Sequence, residues 1–448
     1  MVKFAKFSKF VKVEFVKNFS KKICSVLNIF SLTAFFVASC ISIFSIKPRN
    51  SNLRCLLEND EIESFVGTVV SNPTLTSKKT FYRCKVNVIR SCGKNKNGNF
   101  IDSSASGDVF VLIPKQIVES HYPKRLYSVC KNPNANDIIV ETGSKLELKV
   151  TCIDKNEKLF SVEQVNFLGW KNKIAYFRAN CRLNFKRLLS LWGEAGGFVL
   201  ALLASSREYT DEKIADAFRL AGLSHILALS GMHVGIFSGF AKKLFLPFAG
   251  EKITDCLSLL AVSLFVWFAG FSPSLTRALI GCFLAYFANI FCIKSSSLTM
   301  LSISFLIQIL IFPSDFASIS FMLSYLALLG IILFSEFFSR FLCRFTGTFF
   351  ANQLSPSISA IIMTSPLSAK IFGFITPIGV FSSMIISPLV TYFLILSLIF
   401  IILCLILPFL SVPLGTIVQI MYYVIKNIGI FFAKFPPIRR SEEHTSEL

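Results

Sequence analysis

Long apolar segments, separated by short polar ones, fill the second half of the chain. They lie at about 224–241, 253–271, 274–293, 298–312, 317–335, 357–385, 388–407 and 412–433. Because an α-helix rises 1.5 Å per residue, about 20 apolar residues cross a hydrocarbon core of about 30 Å. The pattern predicts a polytopic helical domain over residues 193–439. Pro366 and Pro377 interrupt the segment 357–385, and broken helices within a membrane are tolerated where they line protein or a water-filled cavity.

The N-terminal pattern predicts a membrane anchor. Residues 1–22 hold seven lysines and one glutamate, and residues 23–46 are almost wholly apolar. Lysine-rich flanks stay in the cytoplasm, so we expect 1–22 to be cytoplasmic and 23–46 to cross the membrane. A cleaved lipoprotein signal is the alternative, because Val37–Cys40 resembles its cleavage box. The apolar run continues past Cys40, which favours the anchor.

Residues 47–166 alternate apolar and polar positions with a period of two, which is typical of strands. The alternating segments are Glu63–Val70, Phe81–Ile89, Asp108–Ile113, Lys145–Ile153 and Leu159–Val165. About five strands in ~100 residues fit an OB-like barrel or a small sandwich. The orientation of the anchor places this domain outside the cytoplasm. Five cysteines fall in it: Cys55, Cys84, Cys92, Cys130 and Cys152. Disulfides are compatible with that location, but the sequence does not determine their pairing.

Residues 167–192 combine an apolar stripe with a basic face. The apolar positions Ile174, Phe177, Cys181, Phe185, Leu188 and Trp192 follow steps of three and four. The basic positions between them are Lys171, Lys173, Arg178, Arg182, Lys186 and Arg187. This pattern predicts an amphipathic helix in the membrane interface, with a surface helix packed on the β domain as the alternative. The six basic residues are candidate contacts for a polyanion.

Composition narrows the class of protein. Hydrophobic residues make up 53% and charged residues 16%, whereas soluble domains carry about 25% charge, so a single soluble globular domain is excluded. The net charge of +20 favours anionic lipid or nucleic acid as a partner. Basic residues mark every second loop: Lys242, Lys243 and Lys252, then Lys294, then Arg340 and Arg344. That alternation fits the positive-inside rule and predicts a multi-pass protein of the cytoplasmic (inner) membrane.

Polar residues cluster within the segment His225–Gly235. It holds His225 and His233, two of the four histidines of the chain, together with Ser230 and Gly231. On one continuous helix the two histidines would lie about 80° apart around the axis. Arg277 lies near the outer end of another predicted helix. Since ionisable residues inside a membrane usually face a pathway or a partner, we expect these five residues to line a transport path.

Other interpretations of this cluster stay open. A packing helix with hydrogen-bonded histidines explains the same residues, and Ser230 with a histidine could serve an intramembrane hydrolase. Judged on the broken helices alone, a small-solute or ion-coupled permease is a further alternative. The spacing disfavours a metal site, no zinc-type Cys/His spacing occurs, and no cofactor or catalytic residue is predicted.

Several stretches resemble the ComEC-type competence proteins, which are inner-membrane channels for DNA uptake in natural transformation. The stretches are Asp216–Leu223 with His225–Gly235, then Pro273–Ala278, Pro313–Gly330 and Ile361–Leu389. Met322 stands where the family usually has glutamine. The resemblance covers residues 23–439 and implies transport of single-stranded DNA into the cytoplasm. It implies membrane lipid, a DNA receptor and a cytoplasmic translocation ATPase as partners, and it leaves a homo-oligomer open.

The expected fold is therefore a polytopic α-helical membrane protein with an external N-terminal small β (OB-like) domain and an interfacial amphipathic helix. Many members of the family carry a C-terminal metallo-β-lactamase-like domain with a His-x-His-x-Asp-His motif, which this sequence lacks. Residues 440–448 resemble a translated sequencing adapter, so we expect an artefact there and a gene that continues further. No enzyme is expected in the chain as given.

Overall fold

The computed structural model describes residues 29–43, 53–76, 80–94, 99–121, 140–154, 158–435 and 437–439. The basic head 1–22, the ends of the anchor 23–46, Cys130 and the segment 440–448 lie outside these residues. Helix α1 (Ile29–Ile43) falls within the predicted anchor and packs against the helix over Ser297–Ile311.

The N-terminal domain is a β-sheet domain with one short helix. Its elements are β1 (Ile62–Val69), β2 (Thr74–Leu75), β3 (Phe81–Lys94), β4 (Phe100–Pro114), α2 (Lys115–His121), β5 (Ser144–Asp154) and β6 (Leu159–Trp170). Each of the five alternating segments lies on a strand. Strands β3 and β4 extend beyond the predicted ends because polar cross-strand pairs, such as Arg90 with Asp102, continue the hairpin.

The strand pairings close into a ring. β1 pairs antiparallel with β3 and with β5, β5 pairs antiparallel with β6, β6 runs parallel to β4, and β4 pairs antiparallel with β3. Successive side chains of a strand point to opposite faces, so the apolar half of each alternation fills the interior. Val86, Val111 and Phe160 are fully buried there, and Phe160 meets Phe65 edge to face at 5.7 Å.

The rest of the chain is helical. Its helices are α3 (Lys173–Ser190), α4 (Gly193–Ala204), α5 (Glu212–Leu220), α6 (Ser224–Leu227), α7 (Gly231–Phe245), α8 (Glu251–Ala269), α9 (Pro273–Ile290), α10 (Ser297–Ile311), α11 (Ile319–Phe372), α12 (Gly379–Ile406) and α13 (Ser411–Ala433). Among the described residues, four helices are long and apolar enough to cross a membrane: α8, α11, α12 and α13 with its preceding turn. Two short strands, β7 (Phe374–Ile375) and β8 (Ile438–Arg439), pair with each other.

Helix α4 lies at the centre of the helical domain. Its residues 195–204 are all buried. Phe198 contacts the rings of Phe218, Phe393 and Tyr422 at 5.4–5.9 Å. Gly196 and Gly197 allow this packing, because a Cβ at either position would overlap a backbone carbonyl of Leu189 or Tyr209. At 12 residues, or about 18 Å, α4 is too short to span a membrane.

Of the two prolines predicted to interrupt the segment 357–385, Pro377 lies in a helix break and Pro366 does not. Helix α11 continues through Pro356 and Pro366 and turns at Gly347, whose φ of 75° suits a residue without a Cβ. The break after it covers residues 373–378, as the position of Pro377 predicts, and Pro388 lies inside α12. The predicted interruption at Pro366 and the predicted start of a helix at Pro388 are wrong. Inside a membrane, hydroxyls and neighbouring helices compensate for the missing proline N–H.

The β domain contacts the helical domain at the C-terminal end of α8. Asn72, after β1, donates a hydrogen bond to the carbonyl of Ala269 at 2.9 Å. At the opposite end of the α7–α8 hairpin, Lys242 pairs with Asp255 at 2.6 Å. The β domain and the lysine-rich end of the α7–α8 hairpin thus lie at opposite ends.

Candidate functional site

The predicted helix 224–241 is broken in its first half. Helix α6 ends at Leu227, Ala228 is extended, and Ser230 is the N-terminal cap of α7 with φ −135° and ψ 176°. The prediction that both histidines share one helix, about 80° apart, is therefore wrong. His225 is exposed on α6, and His233 is 2% exposed in the first turn of α7.

The cap of α7 fixes the protonation of His233. The Ser230 amide donates a hydrogen bond to Nδ1 of His233 at 3.2 Å. Since a backbone N–H can only donate, Nδ1 must accept, and in a neutral imidazole the proton then lies on Nε2. Among the described residues, Nε2 of His233 has no hydrogen-bond partner although it is buried. The site therefore holds one unpaired N–H donor at the N-terminus of a helix.

Arg277 lies at the same helix end. Its Nε donates to Oγ of Ser324 at 2.8 Å, and its guanidinium carbon lies 6.0 Å from the centre of the Tyr325 ring. A Cβ at Gly231 would approach Nη2 of Arg277 to 2.9 Å, so any larger residue there would require the guanidinium to shift. The structure thus brings Ser230, Gly231, His233 and Arg277 together.

A second layer of polar residues holds Arg277 in place, and the sequence analysis did not identify it. The Tyr325 hydroxyl donates to Oε1 of Gln308 at 3.0 Å. Gln308 is fully buried and donates to the carbonyl of Pro273 and to Asp315, at 3.0 and 2.9 Å. Gln308 is the sole amide side chain in the apolar helix α10, which was the signal available in the sequence.

The second helix break contacts the start of this site. Gly222, between α5 and α6, has a φ of 75°, and a Cβ there would lie 2.6 Å from Oγ1 of Thr376 and 2.9 Å from Cα of Gly379. Ser382 donates to the carbonyl of Ala221 at 2.7 Å. The break at 373–378 therefore packs directly on the chain that leads into α6.

The basic face of α3 points mainly into the protein. Arg178, Arg182 and Lys186 are only 3–7% exposed, and they bind Glu141, Glu208 and backbone carbonyls. The prediction that six basic residues form one exposed face is wrong for these three, because buried acceptors lie beside them. Lys171 and Lys173 are exposed, and Arg187 is half-buried.

A hydrolytic site receives little support from the geometry. Oγ of Ser230 lies 3.4 Å from Nδ1 of His233, which is within reach of a nucleophile and its base. Nδ1 already accepts the Ser230 amide, however, and none of the described residues places a carboxylate on the other ring nitrogen. The part of the chain that the structure describes also contains no group of three or more His, Cys, Asp or Glu residues able to hold a metal.

The fold and the site define a helical membrane protein with a β-sheet domain and a polar site built on broken helices. The chain belongs to the competence protein family, whose family model, described as Competence protein, matches residues 202–439. The resemblance inferred from the sequence is confirmed.

Two curated relatives match parts of the chain. One is ComE operon protein 3 of Bacillus subtilis, 30% identical over 151 residues, which are 33% of this chain and 19% of that protein. Another is an uncharacterized protein of Aquifex aeolicus, 29% identical over 189 residues, which are 42% and 43% of the two chains. The matches thus span less than half of either relative. No solved structure matches the chain.

Proposed function

We propose that this protein is a component of the inner-membrane channel that carries single-stranded DNA into the cytoplasm during natural transformation. One observation carries the proposal: within a competence-family domain, an arginine and a buried histidine nitrogen without a partner among the described residues both lie at the N-terminus of one helix. All three groups attract a phosphodiester anion.

The proposed path passes the break between α6 and α7 and is lined by His225, Ser230, Gly231, His233 and Arg277. A guanidinium stays charged at any physiological pH and can hold two phosphate oxygens at once. The neutral imidazole of His233 donates one hydrogen bond without adding charge. A conducting path must bind weakly enough to release its cargo, so one cation with a few neutral donors fits a moving strand better than a dense basic lining.

We further propose that the β domain is an OB-like barrel that binds single-stranded DNA outside the cytoplasm. Its closed ring of five strands, with β4 parallel to β6, is the support for this assignment. Phe100 is 65% exposed at the end of β4, and Arg83 lies over the ring of Phe110 at 4.7 Å. Exposed aromatic rings beside cations are stacking platforms for bases. Tyr82 is buried and is not part of this surface.

Helix α3 is proposed to lie in the membrane interface with its apolar edge outward. Ile174 and Phe177 are 63% and 60% exposed, and Phe177 stacks on Trp267 of α8 at 6.4 Å. Contacts of α3 with DNA or anionic lipid are then limited to Lys171, Lys173 and Arg187. A DNA receptor, a translocation ATPase and a second copy of this chain are proposed partners, on the strength of the family alone.

The proposal is tested by following labelled DNA in cells that depend on this protein. Cells without it should bind duplex DNA at the surface but form no nuclease-resistant internal single strand. The wild-type gene should restore uptake, and Arg277→Ala should restore less than about a tenth of it at an equal protein level. Arg340→Ala is the matched control, because Arg340 is exposed and pairs only within its own helix with Glu336. Normal uptake in cells without the protein would rule out the proposal and favour a permease or another role.

A further inference from the structure

A cluster of buried charges joins the β domain to the helical domain. Glu141, just before β5, accepts from Nε of Arg182 and from Nζ of Lys186, both at 3.2 Å. Lys186 also lies 3.6 Å from Glu208, in the connection between α4 and α5. The side chains of Glu141, Arg182 and Lys186 are only 3–4% exposed. The cluster therefore links three separate parts of the chain away from solvent.

The pKa shifts of Glu141 and Lys186 both favour their charged forms in the folded protein. Burial by itself would raise the pKa of Glu141, but the nearby charges of Arg182 and Lys186 hold that pKa below its ordinary value. Burial lowers the pKa of Lys186, whereas Glu208 and Glu141 raise it, and the net shift is upward. Buried ion pairs contribute little net stability compared with apolar residues of similar size, although they can impose one specific arrangement.

Arg182, a member of this cluster, and the neighbouring Arg178 also cap helix ends. Arg178 donates to the carbonyls of Trp267 and Phe268, at 2.7 and 3.2 Å. Arg182 donates to the carbonyls of Phe268 and Ala204, at 2.9 and 3.1 Å. The last carbonyls of a helix lack partners within the helix, so these two side chains satisfy the C-terminal ends of α8 and α4.

The β domain completes the same junction. Asn72 accepts hydrogen bonds from Thr142 and Arg178, at 2.8 and 3.1 Å, in addition to its bond to Ala269. Gly270, with a φ of 104°, lies so close that a Cβ would meet Nδ2 of Asn72 at 2.5 Å. The chain then turns into α9, where Arg277 follows Ala269 by eight residues.

We propose that Glu141 is a positioning residue that, through Arg182 and Lys186, fixes the β domain beside the Arg277 end of the helical domain, so that a bound strand passes from one to the other. This inference rests on the proposed function and goes beyond it, since Glu141 itself touches no DNA. Without the cluster, the β domain would still bind DNA but would present it at varying positions relative to the path.

The first test is Glu141→Gln in cells that require the protein for uptake. We expect surface binding of labelled DNA to remain within about twofold of the wild type and nuclease-resistant uptake to fall at least tenfold. Parental uptake by this variant would overturn the positioning role. It would leave the proposed function intact, because that function fails only if cells without the whole protein still take up DNA.

A cross-link separates positioning from other roles of Glu141. Cysteines replace Asn72, whose side chain donates to the carbonyl of Ala269, and the buried Ala269 itself, and an oxidant joins them as a disulfide in the Glu141→Gln background. If the role is positioning, the oxidised protein regains uptake and the reduced protein does not. A formed cross-link with no recovery would contradict the proposal.

A second variant tests the inference if Glu141→Gln lowers the protein level. If Glu141→Gln does not accumulate, because two cations lose their partner, the quadruple change Glu141→Leu, Arg182→Met, Lys186→Met and Glu208→Gln removes all four charges. Apolar replacement of a buried ionic cluster commonly preserves folding. We expect this variant to insert normally and to lose uptake at least tenfold, and uptake at the parental rate would overturn the inference.

Discussion

The backbone amide of Ser230 donates a hydrogen bond to Nδ1 of His233 across 3.2 Å. This single contact starts helix α7, defines which ring nitrogen carries the proton, and directs a buried N–H donor away from its own helix cap. The structural role lies on Nδ1 and the proposed transport role is assigned to Nε2, so substitutions can separate the two.

His233→Ala removes both roles. We expect a stability loss of about 0.5–2 kcal/mol from the missing cap and reduced DNA uptake. Glutamine is a normal partner in a capping box, so His233→Gln should restore the protein level but not the uptake. Immunoblots of membranes and a transformation assay measure the two effects. Full recovery of uptake with glutamine would show that His233 acts only as a cap.

Gly231→Ala tests whether the position of Arg277 matters. The new methyl group would lie 2.9 Å from Nη2 of Arg277 and should displace the guanidinium from the helix end. Uptake should fall several-fold while the protein still inserts. Gly235→Ala is the matched control on the same helix, because no atom lies within 4 Å of a Cβ there. Equal uptake by the two variants would contradict a role for Arg277 in the path.

The β domain should bind single-stranded DNA through phosphate and stacked bases. In the purified full chain, affinity should fall steeply as salt rises, since each phosphate contact releases counterions. Phe100→Ala should weaken binding by about 1–3 kcal/mol, whereas Leu56→Ala, also at an exposed apolar side chain, should not. Titration with a fluorescent oligonucleotide measures the effects of salt and of the two substitutions. An affinity that does not change with salt would contradict a nucleic-acid role for α3 and the β domain.

The orientation in the membrane is testable with single cysteines. Glu163→Cys on β6 should react with an impermeant thiol reagent in intact cells. Lys243→Cys in the last turn of α7 should react only after the membrane is opened, because basic ends of membrane helices stay in the cytoplasm. The background must lack Cys256 and Cys292, which are exposed. The reverse pattern of labelling would place the β domain inside the cell.

The Glu141 cluster should make stability depend on acid pH. Its carboxyl has a pKa below the ordinary 4.5 in the folded protein. The contribution is therefore complete above about pH 4.5 and is lost as the pH falls through the lower, folded pKa. Thermal unfolding in detergent should show a larger decrease between about pH 6 and pH 3 for the wild type than for the quadruple variant without the four charges. Equal decreases would show that other carboxyl groups control acid unfolding.

Local periodicity in the sequence was enough to identify the strands and most helices, because the alternation of side chains along a strand or helix face depends on nearby residues only. It placed strands β3 and β4 and most of the long apolar helices, and the resemblance centred on Asp216–Gly235 identified the family. Tertiary structure decided which polar residues meet. Arg182 donates a hydrogen bond to Glu141, which lies 41 residues away along the chain. Arg277 donates to Ser324, which lies 47 residues away. The basic face of α3 points inward because Glu141 and the free carbonyls at the C-terminal ends of α4 and α8 accept its hydrogen bonds. The break at Ser230 likewise depends on the helix cap and on packing against Arg277. The apolar residues around Ser230 predict a continuous helix and do not indicate this break.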